Sequence, residues 1–184
     1  MAELLEQLYV DHRNMARLLK LVEKELDEFH QRGKANLSLI NRVMTYLTDY
    51  SDVIHHPKED VMLERLGYTQ PDFANAIDAL MAQHDMLATK GMEFLKIVEE
   101  AEEGQAQRLD TLEEMGRDFV SRQFQHMRHE ETEILPAARK SFSTADWQAI
   151  DDAVSPRADP LFGDTVEEEF RELYEHILSN SSPP

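Results

Sequence analysis

The sequence predicts an all-α protein: an up-down-up-down antiparallel four-helix bundle with one or two extra helices at its C-terminal end. Apolar residues recur at three- and four-residue steps through four long segments, and no segment shows sustained two-residue alternation. Glycine-containing breaks at residues 31–34, 67–71 and 103–104 separate the segments. Long helices joined by short loops pack as antiparallel neighbours, which gives the predicted topology.

Each of the four long helices presents one apolar face. The helices are expected at residues 2–31, 36–66, 71–103 and 105–140. A chain of 184 residues can bury a sizeable core as one domain. Residues 1–140 are therefore interpreted as the bundle.

Residues 141–184 are interpreted as a C-terminal helical extension. A short helix is expected over residues 144–153, and an irregular segment with proline and glycine follows over residues 155–163. Apolar residues at helical spacing predict a last amphipathic helix over residues 165–178. The extension is expected to pack on the bundle or to form the contact of a homodimer.

Composition argues against several classes of function. The net charge of −18 argues against a nucleic-acid partner and against binding to an anionic membrane, because both need basic patches. There is no cysteine, which removes disulfides, zinc–thiolate sites, iron–sulfur ligation and thiol nucleophiles. The sequence shows neither a basic leader followed by an apolar run nor 18 consecutive apolar residues. A soluble cytoplasmic protein is therefore expected.

Four histidines lie at mirrored distances from the predicted turns. The midpoints between successive histidines fall at 33.5, 69.5 and 105, beside or inside the three breaks. Because every α-helix has the same rise per residue, equal residue counts on the two arms of a hairpin give equal depth. One layer of the bundle is therefore expected to contain His12, His55, His84 and His126.

Two glutamates are expected in the same layer. Glu59 follows His55 at i+4, on the same helix face, and Glu130 follows His126 in the same way. Imidazole and carboxylate donors without sulfur favour non-haem iron or manganese over structural zinc. Six such ligands cannot fill two octahedral ions, so open positions for a small molecule are expected. The sequence therefore predicts a site for a pair of metal ions, either non-haem iron or manganese, with zinc as a further alternative.

The role of His56 is open. A single helical histidine is more often a surface or hydrogen-bonded core residue than a ligand, but the coincidence of four depths and two glutamates favours a metal site here. His56 forms an i+4 pair with Asp60 and faces about 100° away from His55 on an ideal helix. It is therefore interpreted as either an additional ligand or an outer partner. Pro57 deletes a helix hydrogen bond, and a kink there would aim both His55 and Glu59.

Other kinds of site lack support in the sequence. No glutamate stands three residues before any histidine, so the Glu-x-x-His ligands of ferritin-like bundles are missing. There is no His-Glu-x-x-His motif, glycine-rich phosphate loop or Gly-x-Ser-x-Gly elbow.

Four strings of the chain resemble the hemerythrin-like family, the HHE cation-binding domain. They are DHRNM around His12, HHPKED at residues 55–60, QHDML around His84 and HMRHEETEILP at residues 126–136. The resemblance covers roughly residues 1–140. It implies a four-helix bundle around a non-haem di-iron centre.

The resemblance also implies a ligand set. The terminal ligands would be His12, His55, His84 and His126, and the bridging carboxylates would be Glu59 and Glu130. His56 stands where some relatives have a carboxylate ligand. Oxygen-carrying hemerythrins have a further histidine where this chain has Ala88. The chain therefore looks more like bacterial members with four histidines and two glutamates, which handle or sense O₂ or nitric oxide or take part in iron–sulfur repair.

Three functions follow as hypotheses. The first is a di-iron protein that binds O₂, nitric oxide or peroxide at open iron positions. The second is a di-iron enzyme, with oxidase, peroxidase-like or nitric-oxide-reducing activity or iron donation for iron–sulfur repair. The third is an interaction module in which the metal only stiffens the bundle. Whether the protein turns over a substrate is left open.

Overall fold

Helices dominate the computed structural model, which describes residues 3–104, 109–154 and 158–180. Within these ranges the chain forms α-, π- and 3-10 helices and no β-strand. The all-α fold class predicted from the apolar periodicity is confirmed. None of the described helices is both long enough and apolar enough to cross a membrane.

Eight α-helices follow one another in the part of the chain that the structure describes. They are α1 (Glu3–Arg32), α2 (Leu37–Tyr46), α3 (His56–Thr69), α4 (Ala74–Glu102), α5 (Leu109–His129), α6 (Leu135–Ser141), α7 (Thr144–Ala153) and α8 (Arg171–Asn180). A first π segment, Leu47–His55, joins α2 to α3, and a second π segment, Glu130–Ile134, joins α5 to α6. Single 3-10 turns, Pro71–Phe73 and Glu168–Phe170, precede α4 and α8. Together these elements form four long helical rods, at residues 3–32, 37–69, 71–102 and 109–141. They correspond to the four predicted helices.

The helix ends follow the local chemistry of the turns. Gly33 and Gly104 take positive φ values of 65° and 85°, which glycine adopts at little cost, and both lie in predicted breaks. The sequence places the end of the second helix near residue 66, and α3 continues to Thr69. Gly67 lies inside α3, where an added Cβ would come within 3.3 Å of Ile77 Cδ1, so it permits close packing rather than a turn.

The last helix begins later than predicted. Residues 158–167 are irregular, and the backbone N–H of Glu167 donates to the carbonyl of Pro160 at 2.8 Å. This bond holds residue 167 in the irregular segment, so α-helical structure begins only at Arg171. The helix predicted over residues 144–153 is confirmed as α7. Residues 155–157 and 105–108, which earlier predictions included, lie outside the described residues.

Two apolar clusters form the core, and a polar layer separates them. Along α1, Leu8 belongs to one cluster and Met15 to the other. Asp11 and His12 lie between them and are buried. α4 packs against α5 and α2, and α1 packs against α5 and α2. The buried layer of polar side chains is therefore enclosed by apolar packing on both sides.

The C-terminal extension contributes to both clusters. One cluster contains Phe142, Trp147 and Ile150, and the other contains Leu161, Phe170 and Leu173. The Ser143 hydroxyl and the Asp146 carboxylate form a capping box at the start of α7. Arg65 of α3 also donates to Asp146, with Nε at 2.8 Å. The extension is thus packed on the bundle of the same chain.

Candidate metal centre

The structure brings all seven candidate ligands into one buried cluster, named here the ligand cluster. It consists of His12, His55, His56, Glu59, His84, His126 and Glu130. They come from α1, α3, α4, α5 and both π segments. None exposes more than 6 % of its surface. The equal depths inferred from residue counts are therefore found in the fold.

Both π segments lie at the level of the ligand cluster. The N–H of His56 donates to the carbonyl of Ser51, and the N–H of Leu135 donates to Glu130, each spanning five residues. Each π segment ends two residues before a proline, Pro57 or Pro136, which has no N–H to donate. An inserted π turn changes the rotation of the helix at that point. This local geometry lets His55 and His56 both face the cluster.

Glu59 is in contact with three imidazoles. Its Oε1 lies 3.3 Å from His12 Nε2 and 3.2 Å from His55 Nε2. Its Oε2 lies 3.7 Å from His84 Nε2. Each oxygen of one carboxylate thus faces a different group of histidines, as a bridging ligand requires.

Glu130 occupies a similar position. Its Oε2 lies 3.3 Å from His126 Nε2 and 3.5 Å from His12 Nε2. Its Oε1 lies 3.6 Å from His84 Nε2. The two carboxylates therefore share His12 and His84 between them.

Donor atoms within 4.8 Å of one another form two overlapping groups that could each hold an ion. The first group is His12, His55 and Glu59, and the second is His56, Glu59, His84 and His126. Glu59 belongs to both groups. The arrangement can therefore hold two cations that share a carboxylate.

Several donor atoms in the cluster have no hydrogen-bond partner. They are Glu59 Oε2, Glu130 Oε2, His84 Nε2 and His126 Nε2. Buried polar atoms without a partner are costly, and native proteins satisfy nearly all of them. Nitrogen and oxygen donors without sulfur suit iron, manganese or zinc. The residues present therefore fit a pair of metal ions, which would satisfy these atoms.

The outer nitrogen of each of four histidines donates to a neighbouring helix. The Nδ1 atoms of His12, His55, His84 and His126 contact Glu131 at 3.1 Å, Asp11 at 3.1 Å, Asp60 at 2.8 Å and Gln83 at 3.0 Å, respectively. Such outer partners fix the tautomer of a ligand histidine and turn Nε2 toward the metal. All four Nε2 atoms accordingly point into the cluster.

Sequence reasoning missed these outer partners. Each is the chain neighbour of a candidate ligand on an adjacent rod: Asp11 precedes His12, Asp60 follows Glu59, Gln83 precedes His84 and Glu131 follows Glu130. The signal in the sequence that could have found them is a polar residue directly next to each candidate ligand. It does not reveal which neighbouring rod the side chain meets.

His56 has partners different from the predicted one. Asp60 hydrogen-bonds to His84, so the expected His56–Asp60 pair is wrong. The Nδ1 of His56 instead lies 3.3 Å from Asp52, one turn earlier, and its Nε2 lies 3.3 Å from the Ser51 hydroxyl. Its ring stacks on His84 with a centroid distance of 4.2 Å. His56 therefore belongs to the second group of donors by position.

The buried glutamates raise the pKa of several cluster histidines, among them His55 and, most clearly, His12 and His84. Burial alone would lower the pKa of His12, but hydrogen bonds to Glu131 and Glu59 and the charge of Glu130 raise it to about 10. Burial likewise opposes protonation of His84, while its bond to Asp60 and the two buried glutamates raise its pKa to about 10. Protons thus balance the buried carboxylates when no metal does.

The remaining histidines of the second group are neutral. Burial lowers the pKa of His126 to about 4, and the charge of His84 acts in the same direction. Burial also holds the pKa of His56 well below its usual range. Neutral imidazole is the form that binds a metal, so both residues have the protonation state that a ligand requires.

Comparison with protein families agrees with this geometry. The model of the hemerythrin HHE cation binding domain matches residues 3–138 of the chain, a span that includes the whole ligand cluster. No curated protein matches the chain. The resemblance seen in the sequence is confirmed, and the chain belongs to the hemerythrin HHE cation-binding domain family.

Proposed function

We propose that this chain is a non-haem di-iron protein that binds O₂, nitric oxide or peroxide at open iron positions. The observation that supports it best is the pair of overlapping donor groups that share Glu59. Buried carboxylate and imidazole atoms of the cluster lack hydrogen-bond partners that a metal could supply. The donor set, five imidazoles and two carboxylates without sulfur, suits iron, manganese or zinc. Iron is proposed among them because the resemblance to hemerythrin-like proteins implies a di-iron centre.

The two ions would have unequal ligand sets. In this assignment His12 and His55 hold the first ion, and the second ion is held by His56, His84 and His126. Glu59, which belongs to both donor groups, would be shared by the two ions, and the resemblance implies the same role for Glu130. When bound, an iron pair supplies electrons to a small molecule or accepts them from it. The first ion would be offered two histidines and the second ion three.

A cavity supports approach by a small molecule. It measures about 320 Å³, lies between α4 and α5, and is lined in part by His126, Gln83, Leu87 and Arg122. A diatomic molecule or peroxide is small compared with this volume. Arg122 on its wall is paired with Asp118 at 2.8 Å. The pocket borders His126 of the second donor group, so it supports approach to the second ion.

The proposal includes the topology of the bundle, the cellular location and the oligomeric state of the protein. The four rods are taken to run up, down, up and down, since only alternating directions explain the equal depths of histidines that lie at mirrored distances from the turns. A cytoplasmic location and a homodimeric state are further parts of the proposal.

Metal content tests the proposed function directly. Protein made in iron-supplemented cells and purified without chelator should contain about two irons per chain by elemental analysis. Glu59→Ala should lose both ions, because Glu59 belongs to both donor groups. His84→Ala should lose the second ion, because His84 belongs to the second donor group only. A fraction of the chains should still bind the first ion.

His30→Ala is the matched control, since the His30 side chain is 67 % exposed and pairs with Glu113 away from the cluster. It should retain wild-type metal content. One zinc per chain, or no metal in the wild-type protein, would contradict the di-iron proposal and favour a structural module.

A further inference from the structure

We propose that the C-terminal extension positions a metal ligand through a chain of buried contacts, named here the His55 support chain. Its members, in order, are His55, Asp11, Tyr50, Tyr46 and Asp159. The proposal rests on the proposed metal function, because His55 is a ligand only if the first ion binds. It assigns a role to residues beyond the span that matches the family model.

Asp11 is the first contact outside the ligand cluster. Its Oδ2 accepts from His55 Nδ1 at 3.1 Å and from the Tyr50 hydroxyl at 3.0 Å. Its Oδ1 accepts from the Gln7 amide at 2.7 Å. Three donors from two rods therefore fix the orientation of this carboxylate, and with it the ring of His55.

Two stacked tyrosines form the next contacts. The rings of Tyr50 and Tyr46 lie 5.3 Å apart at an angle of 16°. The Tyr46 hydroxyl donates to Asp159 Oδ2 at 3.0 Å. Phe162 and Phe170 of the extension meet the Tyr46 ring edge-on. The stack therefore joins the first π segment to the extension through both polar and apolar contacts.

The position of Asp159 is set by its own turn. Its Oδ1 accepts from the backbone N–H groups of Leu161 and Phe162 at 2.8 and 2.9 Å. Its carbonyl accepts from the N–H of Gly163. An added Cβ at Gly163 would fall 2.4 Å from that carbonyl oxygen, so the tight turn requires glycine. Asp159 thus meets Tyr46 from a fixed location.

Burial distinguishes the His55 support chain from the other outer partners. The side chain of Asp11 is fully buried, whereas those of Asp60 and Glu131 are 35 % and 40 % exposed. Water screens an exposed carboxylate, and its side chain can reorient. A buried carboxylate transmits changes in its partners, because a lost hydrogen bond leaves an unsatisfied group. The extension therefore has its most direct influence on the ion held by His55.

Stepwise titration with Co²⁺ tests the inference, since its absorption bands report on coordination geometry. Metal-free wild-type protein should bind two equivalents. Tyr50→Phe should weaken one equivalent by up to about tenfold, because Tyr50 contacts Asp11 rather than His55 and tenfold is the lower end of the effect of losing a direct partner of a ligand; it should leave the other equivalent unchanged. Tyr46→Phe and Asp159→Asn should each weaken the same equivalent less and shift the same bands.

The double variant Tyr46→Phe with Asp159→Asn should bind no more weakly than the weaker-binding of the two single variants. Both changes act on the same Tyr46–Asp159 hydrogen bond, which Phe removes and whose acceptor Asn can replace with a donor. Tyr174→Phe is the control, since it removes a hydroxyl from the same extension but outside the His55 support chain. It should leave both affinities at the wild-type level. Thermal unfolding of each metal-free variant shows separately whether the fold is retained.

The inference is wrong if the wild-type protein binds two equivalents and both Asp159→Asn and Tyr46→Phe keep its affinities and absorption bands. That result would leave the proposed metal function intact. Equal weakening of both equivalents, together with a lower unfolding temperature, would also overturn the inference, since that pattern indicates a purely structural role. Failure of the wild-type protein to bind two equivalents would overturn the proposed function itself.

Discussion

Protons and metal ions compete for the same atoms of the ligand cluster. In the metal-free protein His12 and His84, with pKa values of about 10, carry the positive charge that the two buried glutamates require. Metal binding must displace these protons, because only neutral imidazole is a ligand. The same two residues therefore influence both the stability of the empty fold and the affinity of the loaded one.

The opposite pH dependence of these two properties is a testable consequence. Binding of two metal ions at pH 7 should release at least two protons, one each from His12 and His84. Between pH 7 and 10 the metal affinity should therefore rise.

Over the same range the metal-free protein should lose stability. A raised histidine pKa stabilises the fold fully below the unfolded value of about 6.5, and this contribution disappears as the pH rises through about 10. Calorimetry in buffers of different ionisation enthalpy counts the protons, and thermal scans measure the stability. Proton-independent binding at pH 7 would contradict the prediction.

The candidate ligands could be predicted from the sequence, because the level of a residue along a helix depends only on its number of residues from the turn. His12 and His126 could be placed at one level without knowing how the rods rotate. The partners Asp11, Glu131 and Gln83 were not accessible, because a residue next to a ligand points about 100° away on a helix. Which neighbour it meets depends on the rotation and packing of the rods, and those are properties of the whole core.

At the scale of secondary-structure elements, two π segments shape the site. Both end two residues before a proline and lie at the level of the ligand cluster. A π turn stores a less favourable hydrogen-bond geometry, and it occurs mostly at functional positions. We interpret Pro57 and Pro136 as the residues that maintain it, because each removes an N–H that a regular α-helix would use.

Pro57→Ala should therefore raise the stability of the metal-free protein and at the same time weaken metal binding. An alanine at this position can donate to the preceding turn, which favours a regular α-helix and should raise the stability of the metal-free protein by up to about 3 kcal/mol. The same change should rotate His55 and His56 out of register and weaken metal binding by about tenfold or more. Chemical denaturation and metal titration measure the two effects.

Pro71→Ala provides the control, since Pro71 begins the 3-10 turn before α4 and lies outside the ligand cluster. It should leave the metal affinity unchanged. Wild-type affinity in Pro57→Ala would show that the proline does not maintain the first π segment.

The elements themselves were largely predictable, and their irregularities were not. Apolar periodicity identified the four rods and α7 because a half-buried helix repeats its contacts every three to four residues. A π turn shifts the apolar repeat of a helix by a single residue and does not change the amino-acid composition, so the repeat does not reveal it. Pro57 suggested an irregularity in the second rod, but Pro136 was not recognised as its counterpart.

At the scale of the whole molecule, the extension completes a core that the family match does not contain. The match ends at residue 138, yet apolar side chains from residues 142–173 belong to both clusters. Burial of one large apolar side chain contributes about 1.5–3 kcal/mol, and a whole domain is stable by only about 5–15 kcal/mol. The bundle is therefore not expected to keep its stability without the extension.

Two leucines of α8 allow this dependence to be measured in the full-length chain. Leu173 is fully buried, whereas Leu178, on the same helix, is 56 % exposed. Leu173→Ala should lower the free energy of unfolding by about 2–5 kcal/mol, because it opens a cavity in the core. Leu178→Ala should change it by less than about 0.5 kcal/mol.

Urea denaturation followed by circular dichroism measures both values under the same conditions. Equal, small effects of the two substitutions would mean that α8 does not pack on the bundle in solution. A large effect of Leu173→Ala alone would establish that the extension is part of the cooperative unit. In that case the contacts of Asp159 and Tyr46, which depend on the same packing, persist as long as the bundle itself is folded.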